Sequence, residues 1–253
     1  YRCCATGLYS PISSQNISFA PKRDYIIGGL LVSCAVIDLN MDGKIDIITV
    51  SQNLNSFSVL LNRSECKYLS FAPKLTFSTG LGPFGIAVGD LDGDQKPDIV
   101  LTNSEANSLS IFRNTSVGGI LSFAPKVDYS TGLQPKSIAL GDLDGDGKLD
   151  MIVGNYGSNN ISIFNNRSVA GQLNFRPKFD LETGIGPSSI AIGDLDADAL
   201  PDIAVTNYGS NNYSIFKNRI CAPLYLCSNG TVTLTSNLSG TNYQWQLNNG
   251  SGF

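Results

Sequence analysis

An all-β fold, built as a β-propeller of four-stranded antiparallel blades, is what this sequence predicts, and three observations predict it. Whole segments recur every 52 residues, the period of one supersecondary unit repeated in series. Apolar residues alternate with polar ones between Gly- and Asn-rich turns, and no segment holds a helical period for three turns. The composition, with 26 glycines and only 15% charged residues in 253, suits turn-rich strands better than helices.

The third copy shows the strands most clearly. Residues 137–141 (Ser-Ile-Ala-Leu-Gly) form a small apolar first strand suited to a crowded centre. An acidic loop follows, then a second strand at 149–153, an Asn-Tyr-Gly-Ser-Asn-Asn turn at 155–160 and an alternating third strand at 161–164. A turn at 168–172 leads to a fourth strand at 173–180, expected to be the longest and most charged, with Pro177 fitting an outer edge. Residues 182–187 connect to the next copy. Two other markers keep the same spacing: Phe-Ala-Pro-Lys at 19–22, 71–74 and 123–126 (Phe-Arg-Pro-Lys at 175–178), and Asn62, Asn114, Asn166 and Asn218.

Four 52-residue repeats are visible. The outer-strand segment 17–25 precedes every inner strand, and the last repeat has no outer segment of its own, reading Cys-Ser-Asn-Gly at 227–230. Either the N-terminal strand completes the last blade and closes a four-blade ring, or the repeats are part of a larger propeller. The chain divides into an N-terminal segment at 1–15, the blades at 16–220 and a distinct β module at 221–253.

The acidic loops carry the chemistry. They run from Asp38 to Asp46, Asp90 to Asp98, Asp142 to Asp150 and Asp194 to Asp202, and place oxygen ligands at loop positions 1, 3, 5 and 9. A hard cation, calcium above all, takes six to eight oxygens in flexible geometry. The candidate ligands are Asp38, Asn40, Asp42 and Asp46; Asp90, Asp92, Asp94 and Asp98; Asp142, Asp144, Asp146 and Asp150; and Asp194, Asp196, Asp198 and Asp202. At position 7 the main-chain carbonyls of Lys44, Lys96, Lys148 and Leu200 complete each set. Up to four calcium ions are thus expected. Position 12 is Thr49, Leu101, Val153 or Val205 rather than glutamate, which sets these loops apart from EF-hands. The alternative is a solvated turn, but fifteen aspartates in fixed register with no glutamate among them argue for a ligand set, and without metal they would repel one another. The third loop, with Gly145 and Gly147, is expected to bind best, then the second, then the first and fourth. Asn40 lowers the ligand charge of the first. Ala197 and Ala199 would strain the fourth if either position requires positive φ.

The pattern of apolar strand, Gly-Asp-x-Asp-Gly-Asp-Gly-x-x-Asp and apolar strand resembles the FG-GAP/VCBS repeats found in integrin α-subunit propellers and in many bacterial exported proteins. The resemblance spans residues 16–219 and is most specific in the second and third copies. It implies a calcium-binding propeller, usually of six or seven blades, in a secreted or cell-surface, bacterial setting with adhesion or ligand-binding roles. At the C-terminus, Cys227 followed by Tyr243-Gln-Trp245 resembles the opening half of an Ig-like module, here truncated.

Charge and cysteines bound the remainder. The formal charge is −4, which four divalent ions would turn to about +4, and no basic stripe points to nucleic acid. No run of 18 apolar residues indicates a membrane span. The six cysteines lack zinc-type spacing and there is no histidine. Cys34 stands where the other copies carry Ile86, Ile138 and Ile190, so a small buried hydrophobe is expected there.

Strand order puts the acidic loops and the turns near Arg63, Ser116 and Ser168 on one face. The opposite face receives Phe84, Lys136, Asn155, Tyr156, Asn159, Asn207, Tyr208 and Asn211. These residues suit either recognition of a protein or glycan ligand or plain turn chemistry. The chain reads as an extracellular calcium-binding module for adhesion or ligand binding, with calcium stabilising the loops. The alternative is an accessory propeller of a secreted polysaccharide-degrading enzyme. Catalysis by the chain itself is not expected, since it has no histidine and no nucleophile motif.

Overall fold

A computed structural model describes residues 19–65, 68–219, 233–235 and 242–244. Its first compact unit ends at Asn218 and a second begins at Arg219. The first unit is a series of antiparallel sheets, one per repeat. Blade 1 contains β1 (Leu31–Ile37), β2 (Asp46–Ser51), β3 (Ser56–Leu60) and β4 (Leu75–Ser78). Blade 2 contains β5 (Pro83–Gly89), β6 (Asp98–Asn103), β7 (Ser108–Phe112) and β8 (Val127–Ser130). Blade 3 contains β9 (Pro135–Gly141), β10 (Asp150–Asn155), β11 (Asn160–Phe164) and β12 (Phe179–Glu182). Among the described residues blade 4 has three strands, β13 (Pro187–Gly193), β14 (Asp202–Asn207) and β15 (Asn212–Phe216). Each blade is a simple meander. The second unit contributes one antiparallel pair, β16 (Thr233–Thr235) with β17 (Asn242–Gln244). Cys227 and Trp245, which carry the Ig-like resemblance, lie outside the described residues.

The inner strands stand side by side, β1 against β5, β5 against β9 and β9 against β13. Middle strands are therefore covered on both faces. That is why β6 (Asp-Ile-Val-Leu-Thr-Asn) and β10 are buried throughout and read as near-continuous apolar runs. The core is shared between blades. Leu39, Val50 and Phe57 of blade 1 cluster with Ile99, Leu101 and Phe112 of blade 2. Leu109 and Ile111 join Met151 and Val153, and Ile161 and Ile163 join Ile203 and Val205. All four inner strands also shift register near the same end, as at Pro83/Ile86 and Pro187/Ser189. The bulge bends each inner strand where it leaves the ladder.

Three expectations are corrected. The outer strand is the shortest rather than the longest: β12 has four residues, Phe179–Glu182, and the expected start at 173 is reduced to the single bridge Asn166↔Phe175. Pro177 supplies no N–H to a ladder, so regular pairing begins only beyond it. Cys34 is exposed, because among the described residues no blade covers that side of blade 1. The segment before β1 forms no strand from residue 19 onward and does not pair with β15. It lies instead against blade 1. The Tyr25 ring meets Phe71 edge-on at 5.5 Å, as Phe77 meets Phe123 at 5.1 Å and Tyr129 meets Phe175 at 5.5 Å. Tyr25 thus stands where the outer strand of a preceding blade would stand.

Candidate metal centre

Each acidic loop joins the innermost strand of a blade to the second, and its backbone folds the same way four times. Loop positions 4 and 6 are left-handed in every copy: Met41 (φ 60) and Gly43 (86), Gly93 (75) and Gln95 (67), Gly145 (75) and Gly147 (83), Ala197 (63) and Ala199 (66). The strain anticipated for the alanines of the fourth loop is therefore present at both positions, and Met41 and Gln95 carry it once each in the first two loops.

The aspartates divide into two roles. The position-1 carboxylate gathers the loop amides: Asp142 accepts from Gly145 at 2.8 Å and Gly147 at 2.8 Å, as Asp90 accepts from Gly93 and Gln95. Position 5 accepts from the N–H of position 7, as in Lys148 to Asp146 at 3.0 Å, with the same bond from Lys44, Lys96 and Leu200. The position-9 aspartates are buried staples. Asp98 accepts from the N–H of Leu91 at 3.0 Å and of Asn114 at 2.8 Å, tying the loop to the chain that leaves the third strand. Asp46, Asp150 and Asp202 repeat the arrangement. Burial, opposed by these amides, pushes the Asp98 carboxyl up to about 7 and raises those of Asp46 and Asp150.

Ligand oxygens within 4.8 Å of one another come from Asp90, Asp92 and Asp94; from Asp142, Asp144 and Asp146; and from Asp194, Asp196 and Asp202. The staples Asp98 and Asp150 are not part of the second and third clusters, and Asp198 is not part of the fourth. Two further oxygens fit a cation. Oδ2 of Asp92 and Oδ1 of Asn40, both at position 3, are buried without a hydrogen-bond partner. A buried oxygen left in this way is costly unless something positive meets it; the Arg113 guanidinium stands 3.7 Å from that of Asp92, beyond hydrogen-bond distance. Burial and the neighbouring Asp94 raise the Asp92 carboxyl.

Sequence reading missed the residue just before each recurring asparagine. Leu61, Arg113, Asn165 and Lys217 share that register, and three of them reach position 3. Arg113 lies 3.7 Å from Asp92, Asn165 donates to Asp144 at 2.8 Å, and Lys217 pairs with Asp196. The signal was the fixed 52-residue offset of basic or amide side chains.

The loops share a face with the outer turns, as anticipated: the Asn40 amide donates to the Gly119 carbonyl of the neighbouring blade at 2.9 Å. On the opposite face Asn155 and Asn207 are buried rather than presented. Asn155 donates to Ser162, which donates to Asp180, a polar line across the blade. Asn159 is a bridge, accepting from the Gly186 N–H at 2.9 Å. Turn chemistry therefore accounts for these three. The same face does hold a groove of about 650 Å³ lined by Gln52, Glu105, Asn107, Gln134 and Lys136, among others. The Lys136 ammonium sits 3.7 Å from the centre of the Tyr156 ring and 5.7 Å from that of Phe84.

Comparison with known proteins agrees with this geometry. The family profile described as the FG-GAP-like repeat matches residues 38–101, 90–153 and 142–205. None of the curated proteins matches significantly. A putative 6-phosphogluconolactonase from Bacteroides fragilis superposes with a TM-score of 0.52 at 19% identity, over 74% of this chain and 50% of its own. BBS1N, crystallised in complex with ARL6DN, gives 0.49 at 14% identity, over 76% of this chain and 57% of its own. The chain thus spans half to three-fifths of the length of these solved structures. At 19% identity the likeness to the Bacteroides fragilis protein is one of fold.

Proposed function

We propose, because the chain belongs to the FG-GAP-like repeat family, that it is a calcium-binding β-propeller module that works outside the cell in adhesion or ligand binding. The observation that carries the metal reading is the buried oxygen at loop position 3, present on Asp92 and Asn40 without a hydrogen-bond donor. Positions 1, 3 and 5 would hold the ion with the carbonyl of position 7, while position 9 would fasten the loop, joining the ion's cluster only at Asp202. Calcium would supply the positive charge that the crowded carboxylates lack and so tie each loop into its blade.

A non-catalytic role follows from how the carboxylates are spent. Both oxygens of each position-9 aspartate are engaged by backbone amides, and the clustered carboxylates at positions 1, 3 and 5 would serve as ligands of the ion. The ligand, a protein or a glycan, would meet the groove beside Lys136 and Tyr156, where amide, carboxylate and ammonium groups line a concave surface. Among the described residues no helix is long and apolar enough to cross a membrane.

Thermal unfolding with calcium and with a chelator, at matched ionic strength, tests the metal reading. A rise in melting temperature with calcium, lost in Asp142→Ala/Asp146→Ala, is expected. Equal melting temperatures at millimolar calcium would refute it. Glycan and matrix-protein arrays screened with calcium present then test the ligand reading against a Lys136→Ala variant.

A further inference from the structure

The four acidic loops differ in where their basic side chains stand. Position 7 is a lysine in the first three copies, Lys44, Lys96 and Lys148, and is Leu200 in the fourth. The residue before the recurring asparagine is Leu61, Arg113, Asn165 and Lys217 in turn, so the fourth copy alone carries a lysine there.

In the second and third loops no cation joins two of the clustered carboxylates. Lys96 donates to Asp94 at 3.2 Å, and Lys148 stands 3.5 Å from Asp146. Arg113 and Arg167 remain 3.7 and 3.9 Å from Asp92 and Asp144. The side chain that donates to Asp144 at 2.8 Å is the neutral amide of Asn165. Among the described residues no lysine or arginine pairs with Asp38, Asp42 or Asp46 of the first loop.

The fourth loop is arranged differently. The Lys217 ammonium donates to Oδ2 of Asp196 and lies 3.3 Å from Oδ2 of Asp198. One cation thus bridges positions 3 and 5, two of the three carboxylates that would hold an ion. The other acids of the loop are committed to the backbone. Asp194 accepts from the N–H groups of Asp198 at 3.2 Å and Ala199 at 2.9 Å, one on each oxygen, and Asp202 accepts from those of Leu195 and Asn218. A lysine head is a compact charge with three donors and no acceptor, so it can stand in for a cation but cannot help to bind one. An incoming divalent ion must displace it and then bear its repulsion at close range.

We propose that the fourth loop is closed to calcium by Lys217, which acts as its built-in counterion, and that the residue before the recurring asparagine decides which loops are metal sites. A lysine at that register, bridging positions 3 and 5, separates the fourth loop from the other three. The inference rests on the calcium reading of those three loops and removes the fourth from the set.

Counting calcium ions bound per chain tests it, by calorimetric titration of the full chain after metal removal with a chelator. Far-ultraviolet dichroism confirms that the variants fold. Lys217→Asn, the residue that blade 3 carries at this register, should bind one calcium ion more than the parent. Lys217→Asn/Asp196→Ala should return to the parent count. Equal counts in the parent and Lys217→Asn overturn the proposal. If both bind calcium, the metal reading stands and Lys217 is no barrier; if neither does, the metal reading fails and takes this inference with it. An extra ion that persists in Lys217→Asn/Asp196→Ala also overturns the proposal, because the gain then lies outside the fourth loop.

Discussion

The side-chain amide of Asn166 in blade 3 donates to the main-chain carbonyl of Leu91 in the acidic loop of blade 2, at 2.9 Å and out of contact with water. The same amide holds the Leu149 carbonyl of its own blade at 2.9 Å, while its Oδ1 accepts from Ser168 at 2.8 Å. One side chain thus locks an acidic-loop residue, the entry to the second strand and the outer turn of two adjacent blades.

Asn166→Ala removes all three bonds and leaves buried carbonyls without donors, so a loss of about 2–4 kcal/mol is expected. Asn62→Ala, at the equivalent place but without the bond to a preceding blade, should cost about half as much or less. Urea unfolding of the two variants side by side measures the difference. Equal losses would show that the cross-blade bond contributes nothing.

The left-handed backbone at loop positions 4 and 6 predicts a gain. Replacing Ala197 or Ala199 (φ 63 and 66) by Gly relieves strain of about 1–2 kcal/mol and returns part of it as unfolded-chain entropy. A net stabilisation of about 0.5–1 kcal/mol per site is expected in chelator. Gly145→Ala and Gly147→Ala should lose a similar amount. Denaturant midpoints without metal give the comparison.

Asp98 and Asp94 belong to one loop but serve different ends. Asp98→Asn turns one acceptor of a buried pair into a donor facing an N–H, and should destabilise by about 2 kcal/mol or more whether or not calcium is present. Asp94→Asn, in the outer cluster, should leave stability in chelator within about 0.5 kcal/mol and reduce the calcium-induced rise in melting temperature. Identical behaviour of the two variants would remove the distinction between staple and ligand.

The Asp98 carboxyl titrates near 7 in the fold against 3.8 ordinarily, because burial outweighs its two amide donors. The folded state therefore keeps a proton that the unfolded chain releases between those values. Metal-free stability should fall as pH rises from about 4 to 7. Calcium needs the ionised loop, so the stabilisation it confers should grow across the same window. Asp128, Asp144 and Asp180, whose carboxyls lie below the ordinary range, act with the opposite sign but only at lower pH. Melting temperatures in chelator and in calcium from pH 5 to 8 check both slopes, and a chelator curve that rises with pH would contradict the assignment.

The sequence by itself determined the repeat, the four acidic loops and the order of strands. These are set by local chemistry: alternation fixes which strand faces a core, glycine and asparagine mark the turns, and aspartates at fixed spacing mark the acidic loops. It also located the loop positions where alanine would be strained, although only the backbone showed that both are left-handed. What the tertiary structure decided was which polar groups remain available. Asn155 and Asn159 look alike in sequence to ligand-binding residues, and become a buried strut and a cross-blade bridge only once neighbouring repeats stack. Cys34 and Val36 carry the periodicity of buried residues and are open, because burial in a repeat protein depends on the adjacent unit rather than on the residue's own strand. For the same reason Asp98 separates from Asp92 and Asp94: the amide of Asn114, delivered by the chain leaving the third strand, turns one of four similar aspartates into a staple.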